Sequence, residues 1–535
     1  RTSVASPQSA RLPESLLEAA AYPHPVSQVE LVETHISWVL LADEFAYKIK
    51  KPVVLDFLDF GDVDKRRYYC EEEIRLNKRW APDIYLDVVP VTEESRGATF
   101  DGSGPVIDYA VRMRRFDQSL RLDQQLAAGL LSVADMKELG AAIAMRHGEA
   151  EPVDRASRER VLRLTREFML DNFDALDGAI PNTLIAPLRD WTLGQLDRHG
   201  ALLAQRFDDG FVRDCHGDLH LGNLVRLPDG ITTFDCIEFS DDLRHIDVVA
   251  DIAFLVMDLV ERGRHDLAAH FLNRYLEASG DYGGVALLDL FFVYRCLVRA
   301  KVAVIRSRER DEVMDAKRDL DEAGDYCGLA ARQSAGRKPG LIIMHGLSGS
   351  GKTRVSSELM AALPAIRIRS DIERKRLHGI AEDARSGSGI SEGLYTAAAS
   401  ERLYDDLRNL ARIVLDSGHS VILDAAFLHA APRRSAVQLA NEVDCPVVIV
   451  DVTAPEAVLR SRLSARALAR DDASEADVDV LDYQLRTQDS FSESEEALVI
   501  GWENVGDIDA TTLVAELQNR LETQDDRIPT GYIQP

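Results

Sequence analysis

Residues 29–41 (VELVETHISWVLL) and 45–54 (FAYKIKKPVV) are rich in β-branched and aromatic side chains, with a short Ala-Asp-Glu turn between them, which predicts strands. A charged helix is expected over 65–80, then strands near 86–91 and 106–113. From about 120 to 208 Leu and Ala recur every three or four positions, the spacing that keeps one helix face toward a core. A strand–loop–strand block covers 211–246, and helical spacing then returns until about 331.

Polar residues with two Gly and a Pro occupy 333–340 (QSAGRKPG), the best linker in the chain. Beyond it the rhythm changes. Apolar runs at 341–344, 365–368, 420–423 and 447–450 alternate with helical segments, the pattern of a parallel sheet in an α/β domain. The expected organisation is a domain over 1–332, with a strand-rich lobe at 20–115 and a helical lobe at 116–332. A linker at 333–340, a second domain at 341–525 and a tail at 526–535 complete it. The two halves differ in pattern, so no internal duplication is expected.

Composition narrows the function classes. The 535 residues include 63 Lys+Arg against 90 Asp+Glu, a net charge of −27 that argues against polynucleotide or anionic-membrane partners. No apolar stretch of about 18 residues predicts a membrane span, and the opening residues lack the apolar core of a secretory leader. Cys70, Cys215, Cys236, Cys296, Cys327 and Cys445 lie far apart without a C-x-x-C pair, which fits a reducing, cytoplasmic setting. Oligomeric state is left open.

The sharpest motif is an apolar strand running from Leu341 directly into Gly346-Leu-Ser-Gly-Ser-Gly-Lys-Thr353. Gly346, Gly349 and Gly351 permit the turns in which backbone N–H groups, those of Ser348 and Ser350 included, point inward at phosphate oxygens. Lys352 is expected at the β- and γ-phosphates of ATP, and the Thr353 hydroxyl on Mg²⁺. Asp371 follows a strand end and is placed to accept an acceptor hydroxyl's proton, its alternative being a helix cap. Arg374 is a candidate for an anionic part of the acceptor, and Asp424 ends the next strand as a metal-organising acid. Arg462, Arg466 and Arg470 share a helix face suited to a lid over phosphates; Arg460 lies beside them. These motifs resemble the small P-loop kinases grouped with polynucleotide kinase, zeta toxins and gluconate kinase.

A second constellation reads His216-Gly-Asp218-Leu-His220-Leu-Gly-Asn223, followed by Phe234-Asp235-Cys-Ile-Glu238. In phosphoryl transfer such a set gives an Asp that orients the acceptor hydroxyl (Asp218) and two oxygen ligands for Mg²⁺ (Asn223 and Asp235). His216 is expected to brace the loop; ligation of a transition metal by His216, His220 and Asp218 is the rival reading. Upstream, Lys48 in a strand is the candidate for the α- and β-phosphates, with Lys50 as rival. Glu72 is the preferred partner for that lysine, with Glu73 close behind and Glu71 also available.

These residues resemble the aminoglycoside phosphotransferase family of kinase-like enzymes, which includes sugar, choline and fructosamine kinases. The resemblance implies an N-terminal α+β kinase-like fold joined to a C-terminal α/β P-loop NTPase fold. It carries over Lys48, Glu72, Asp218, Asn223 and Asp235, with Asp251 bracing the catalytic loop. It also implies ATP and Mg²⁺ as cofactors and a small-molecule hydroxyl as acceptor. The segment 33–37, where a phosphate-covering loop belongs, has no glycine, so Ser37 and backbone groups are expected to serve there. Two sites, a single site with a regulatory P-loop module, and a nucleic-acid end kinase all remain open.

Overall fold

The computed structural model describes residues 12–34, 36–55, 58–95, 97–310, 312–380, 396–469, 478–506 and 510–525. They fall into two compact units. The first takes residues up to 135 together with 149–171 and 194–258; the second takes 136–148, 172–193 and everything from 259 onward.

In the first unit an antiparallel sheet has the order β1-β2-β3-β6-β4-β5, from β1 (Val29–Glu33), β2 (Ser37–Ala42), β3 (Phe45–Lys50), β4 (Tyr85–Glu94), β5 (Gly97–Phe100) and β6 (Val106–Arg114). The expected single strand over 29–41 is two strands. Thr34 breaks it, its Oγ1 accepting from the Ser37 N–H at 3.0 Å and closing a tight hairpin. The strand from Phe45 stops at Lys50, ahead of Pro52, which has no N–H to continue a ladder.

Helix α1 (Val63–Asn77) begins where Asp62 accepts from the Lys65 N–H at 2.8 Å. It buries Arg66, Cys70, Glu73 and Asn77, a stripe stepping by three and four residues. After it come α2 (Val133–Glu149), α3 (Arg158–Leu176) and α4 (Asn182–Asp208). Then follow the short strands β7 (Val212–Asp214), β8 (Leu224–Leu227), β9 (Gly230–Thr233) and β10 (His245–Asp247), with α5 (Val248–Glu261) after them.

In the second unit, α6 (His265–Ser279), α7 (Leu288–Arg308) and α8 (Val313–Ser334) precede a five-stranded, all-parallel sheet. Its order is β12-β13-β11-β14-β15, from β11 (Leu341–His345), β12 (Ile366–Arg369), β13 (Val421–Asp424), β14 (Val447–Thr453) and β15 (Val499–Glu503). The first four match the expected apolar runs. The fifth is an addition, hidden in the sequence because Gly501 and Glu503 interrupt its apolar pattern. Ile342, Met344, Val448, Val450 and Ile500 form the core of this sheet with Val355 and Leu359 of α9 (Lys352–Ala362). The longer helices that follow are α10 (Ser370–Leu377), α11 (Ala397–Asp416), α12 (Ala430–Glu442), α13 (Glu456–Ala469), α14 (Val478–Thr487) and α15 (Thr511–Asp525).

The first unit is thus α+β, built on an antiparallel sheet, and the second, which also takes 136–148, 172–193 and 259–332 of the expected first domain, is α/β with a parallel sheet. No described helix is long and apolar enough to cross a membrane.

Candidate active sites

In the first unit, Lys48 and Lys50 alternate along β3 and so lie on one face of the sheet. Lys48 Nζ donates to Glu73 Oε1 at 2.9 Å and to Asp235 Oδ1 at 2.6 Å. Lys50 Nζ donates to Glu73 Oε2 at 2.8 Å and to Glu238. The partner of Lys48 is therefore Glu73, not Glu72. The helix phase decides this: Glu73 belongs to the buried stripe of α1, whereas Glu72 sits one residue off it and pairs with Arg75 at 2.6 Å. Burial opposes the charge on Lys48, but Asp235 and Glu73 outweigh it and raise its pKa well above the ordinary value.

Asp235 has φ of 60°, a left-handed conformation rare for a residue with a Cβ. Its N–H donates to the hydroxyl of buried Tyr85 at 2.9 Å. The next N–H, of Cys236, donates to Asn77 Oδ1 at 2.8 Å, and Asn77 Nδ2 returns to the Glu73 carbonyl at 3.0 Å. Helix α1 thereby fixes both the glutamate and the turn presenting Asp235.

Asp218 is held from several sides. Asn223 Nδ2 donates to its Oδ2 at 2.8 Å and to its carbonyl at 3.0 Å. His216 Nδ1 accepts from the Asp218 N–H at 3.3 Å, so Nε2 carries the proton donated to the Phe234 carbonyl at 3.0 Å. Burial lowers the His216 pKa against the opposing pull of Asp251 and Asp218, which keeps the ring neutral. With both ring nitrogens engaged by backbone, His216 has none left for a metal, which removes the transition-metal reading. His220 Nδ1 accepts from the Gly222 N–H at 3.0 Å, and its Nε2 lies 3.4 Å from Asp218 Oδ2.

Asp251 accepts from the N–H groups of His216 at 3.0 Å and Gly217 at 2.9 Å, the bracing role expected of it. Asp251→Ala strands two buried donors and is expected to cost about 1–3 kcal/mol of stability, measured by urea denaturation; unchanged stability would refute that role. Asp258 does the same for the Leu221 N–H at 2.9 Å. Sequence reading gave no role to Tyr85, Asn77, Glu238 or Asp258. Glu238 stood in the quoted motif, but nothing in the spacing showed that a second strand lysine would meet it. The Ser37 hydroxyl lies buried in β2 without a hydrogen bond.

The second site starts where β11 passes into the loop ahead of α9. Gly346 has φ of 141°, and a Cβ there would lie 2.3 Å from the Val452 carbonyl. Gly351 has φ of 91°, with Asn504 Nδ2 2.2 Å from where a Cβ would sit. No larger residue fits either position. Lys352 Nζ folds over the loop onto the carbonyls of Gly346 at 2.7 Å and Leu347 at 2.9 Å. The Ser348 N–H donates to Gln484 Oε1 at 2.8 Å. Thr353 is half-buried in the first turn of α9.

Asp424 ends β13 beside Arg369 of β12, and Asp371 follows two residues after Arg369. Asp371 lies inside the first turn of α10, whose cap position is Arg369, so it is not the capping residue. The pKa of half-buried Tyr404 is raised, chiefly by burial, against the lowering effect of its hydrogen bond from the Phe427 N–H.

The lid expectation is corrected at Arg462. Arg462 donates to the carbonyls of Gly349 at 3.4 Å, Ser350 at 3.3 Å and Asn504 at 3.0 Å, bracing the loop rather than lying over it. Arg460 pairs with Glu456 and Asp482. The side chain of Arg466 and all of Arg470 lie outside the described residues. Arg433 is fully buried, donating to Glu495 at 2.8 Å and to the Phe427 and Leu428 carbonyls, so it ties loops together.

The donor chemistry suits the expected cofactors. Asp235, Asn223 and Asp218 in one site, and Thr353 with Asp424 in the other, offer the hard oxygen atoms that Mg²⁺ prefers. Ser350 Oγ is buried in the phosphate loop with no hydrogen-bond partner, a polar group suited to a polyphosphate.

Known proteins bear on both halves. The family model described as an AAA domain matches residues 341–490. Two uncharacterised proteins, from Mycobacterium tuberculosis and Mycobacterium bovis, are each 31% identical over 466 residues, covering 84% of this chain and 89% of their own length. Among solved structures, a choline/ethanolamine kinase family protein from Mesorhizobium loti is 12% identical, covering 61% of this chain and 96% of its own, with a TM-score of 0.36. A gluconokinase from Sinorhizobium meliloti is 19% identical, covering 36% of this chain and 95% of its own, with a TM-score of 0.25.

Proposed function

The chain belongs to one family with these two mycobacterial proteins, and on that premise we propose that it is an ATP- and Mg²⁺-dependent phosphotransferase with two nucleotide sites. Its acceptors are hydroxyl groups of small polar molecules: a sugar, an aminocyclitol or a nucleoside. The observation that carries this reading is the grip of Asn223 on Asp218, beside a Glu73–Lys48–Asp235 chain on the same unit.

At the first site Asp218 Oδ accepts the proton of the acceptor hydroxyl, and Asn223 holds that carboxylate in one orientation. Lys48, fixed by Glu73, orients the nucleotide phosphates. Asn223 and Asp235 are the residues that would hold Mg²⁺, which supplies charge neutralisation on the phosphoryl oxygens. At the second site the loop 346–351 and Lys352 bind phosphate, Thr353 and Asp424 would hold the metal, and Asp371 takes the acceptor proton. Arg374 is suited to an anionic group on that acceptor. Both sites work by positioning and charge stabilisation. The resemblance to aminoglycoside phosphotransferases supports the first site's chemistry; its substrate does not follow from it. Six free cysteines support a cytoplasmic setting.

The test is a screen of sugars, aminoglycosides and nucleosides with labelled ATP, run in parallel on the wild type, Asp218→Ala and Lys352→Ala. One phosphorylated product is expected to vanish in each variant. Products that survive both substitutions would refute the assignment. Loss in Asp218→Ala alone, with full turnover in Lys352→Ala and Asp371→Asn, would reduce the P-loop to a regulatory module.

A further inference from the structure

Within the second unit, α6 lies along the outer edge of β12. Asn273 Oδ1 accepts from the Arg367 N–H at 2.6 Å, and Asn273 Nδ2 donates to the Ala365 carbonyl at 3.1 Å. The Arg367 side chain, buried, then reaches in two directions. On one side Nη2 donates to Glu277 Oε1 of α6 at 2.7 Å, with Nε 3.2 Å from the same oxygen. On the other, Nη1 donates to the Thr353 carbonyl at 3.3 Å and to Ser356 Oγ at 3.4 Å.

Ser356 Oγ lies 2.8 Å from Asp424 Oδ2 and 3.1 Å from the Thr353 carbonyl. A hydroxyl has one proton, and the shorter, charge-assisted bond to the carboxylate takes it. A continuous chain therefore runs from Glu277 through Arg367 and Ser356 to Asp424, touching Thr353 on the way. Its ends are a helix outside 341–525 and the two residues assigned to the metal. A buried pair is a poor source of net stability, since a well-packed apolar pair serves as well. The geometry instead uses what a guanidinium alone offers: a flat fork whose opposite donors bind two elements at once.

Resting on the nucleotide reading of the P-loop, we propose that Arg367 is a positioning residue for that site. Anchored by Glu277, it sets the first turn of α9 and the rotamer of Asp424, so helix α6 completes the metal side of the phosphate loop.

The experiment uses the full chain and reads binding, not turnover. ADP titrations with and without Mg²⁺ are run on the wild type, Glu277→Gln, Ser356→Ala, Arg367→Lys and Lys352→Ala. The binding component lost in Lys352→Ala defines the P-loop site. For that component, Glu277→Gln and Ser356→Ala are expected to lose about 10–100-fold of the Mg²⁺-dependent gain in affinity, the range for groups that orient metal ligands. Metal-free ADP affinity stays at the wild-type value. Arg367→Lys does not rescue, because one ammonium cannot span both partners. Ser356→Ala keeps the buried pair, so its defect, at unchanged melting temperature, answers the objection that Glu277→Gln merely unfolds. A wild-type Mg²⁺ dependence in Ser356→Ala and in folded Glu277→Gln overturns the proposal. A wild type with no Lys352-dependent ADP binding overturns the nucleotide reading itself, and this inference with it.

Discussion

Asp218→Asn is expected to lower turnover at the first site by about 10²–10⁴-fold, the range of general-base contributions, while nucleotide affinity stays near the wild-type value. The asparagine keeps size and shape but loses the basic oxygen. It also brings an NH₂ group toward Asn223 Nδ2, which donates to Asp218 Oδ2 at 2.8 Å. Either the two amides repel or one flips, and a flipped Asn223 no longer presents its oxygen for a metal. The variant therefore tests two roles, and they separate. Lost proton acceptance lowers kcat at every Mg²⁺ concentration, whereas a turned Asn223 also raises the Mg²⁺ needed for half-saturation. Steady-state kinetics over a Mg²⁺ series distinguishes them. Turnover within a few-fold of wild type would remove Asp218 from the chemistry.

Glu73→Gln is expected to cost about 3–5 kcal/mol of stability, the range for breaking a buried ion pair from one side, and to abolish first-site activity. The carboxylate gives one oxygen to Lys48 and the other to Lys50, both at hydrogen-bond distance, in a setting without water to replace it. A glutamine leaves two ammonium groups facing one carbonyl oxygen and an NH₂ donor. Burial pushes the Glu73 pKa up, but the attraction and hydrogen bonds of the two lysines prevail and lower it. A pKa lowered on folding gives stability that is full above the unfolded-state value, roughly 4.3, and fades as pH falls toward the folded value. The wild type should thus lose this contribution on acidification, and Glu73→Gln should show a flatter acid limb in denaturation from pH 6 to pH 3. Parallel acid limbs would show that Glu73 is not held as a carboxylate. Glu72→Gln is the control: it breaks only a helix-surface pair with Arg75, worth about 0.3–0.5 kcal/mol.

The fold was legible where one periodicity held over a long stretch. The four apolar runs beyond 341 are buried on both faces and read as strands without help from their neighbours. The hairpin at Thr34 was not, because its turn comes from one threonine hydroxyl rather than from Gly or Pro. Local motifs gave Asp218, Asn223, Asp235 and the phosphate loop, since each cluster is contiguous in the chain. Choosing between Glu72 and Glu73 needed the phase of α1, set by where Cys70 and Asn77 find a core. Arg462 illustrates a different limit: its position along a helix was readable, but the carbonyls it binds come from residues far along the chain. Arg367 had no signal, being one basic residue in a short buried strand whose partners lie about 11 and 90 residues away.

The amide of Asn273 has a consequence for how the chain can be handled. β12 is the outermost strand of its sheet, and an outermost strand exposes a row of backbone groups on which another molecule can add itself. Here the Arg367 N–H and the Ala365 carbonyl are both taken by one side chain from a helix encoded before the linker. Cutting at 333–340, the obvious place by sequence, removes that stopper and leaves a bare edge. A fragment beginning at 341 should therefore form aggregates, whereas one that retains residues 259–340 should stay monodisperse.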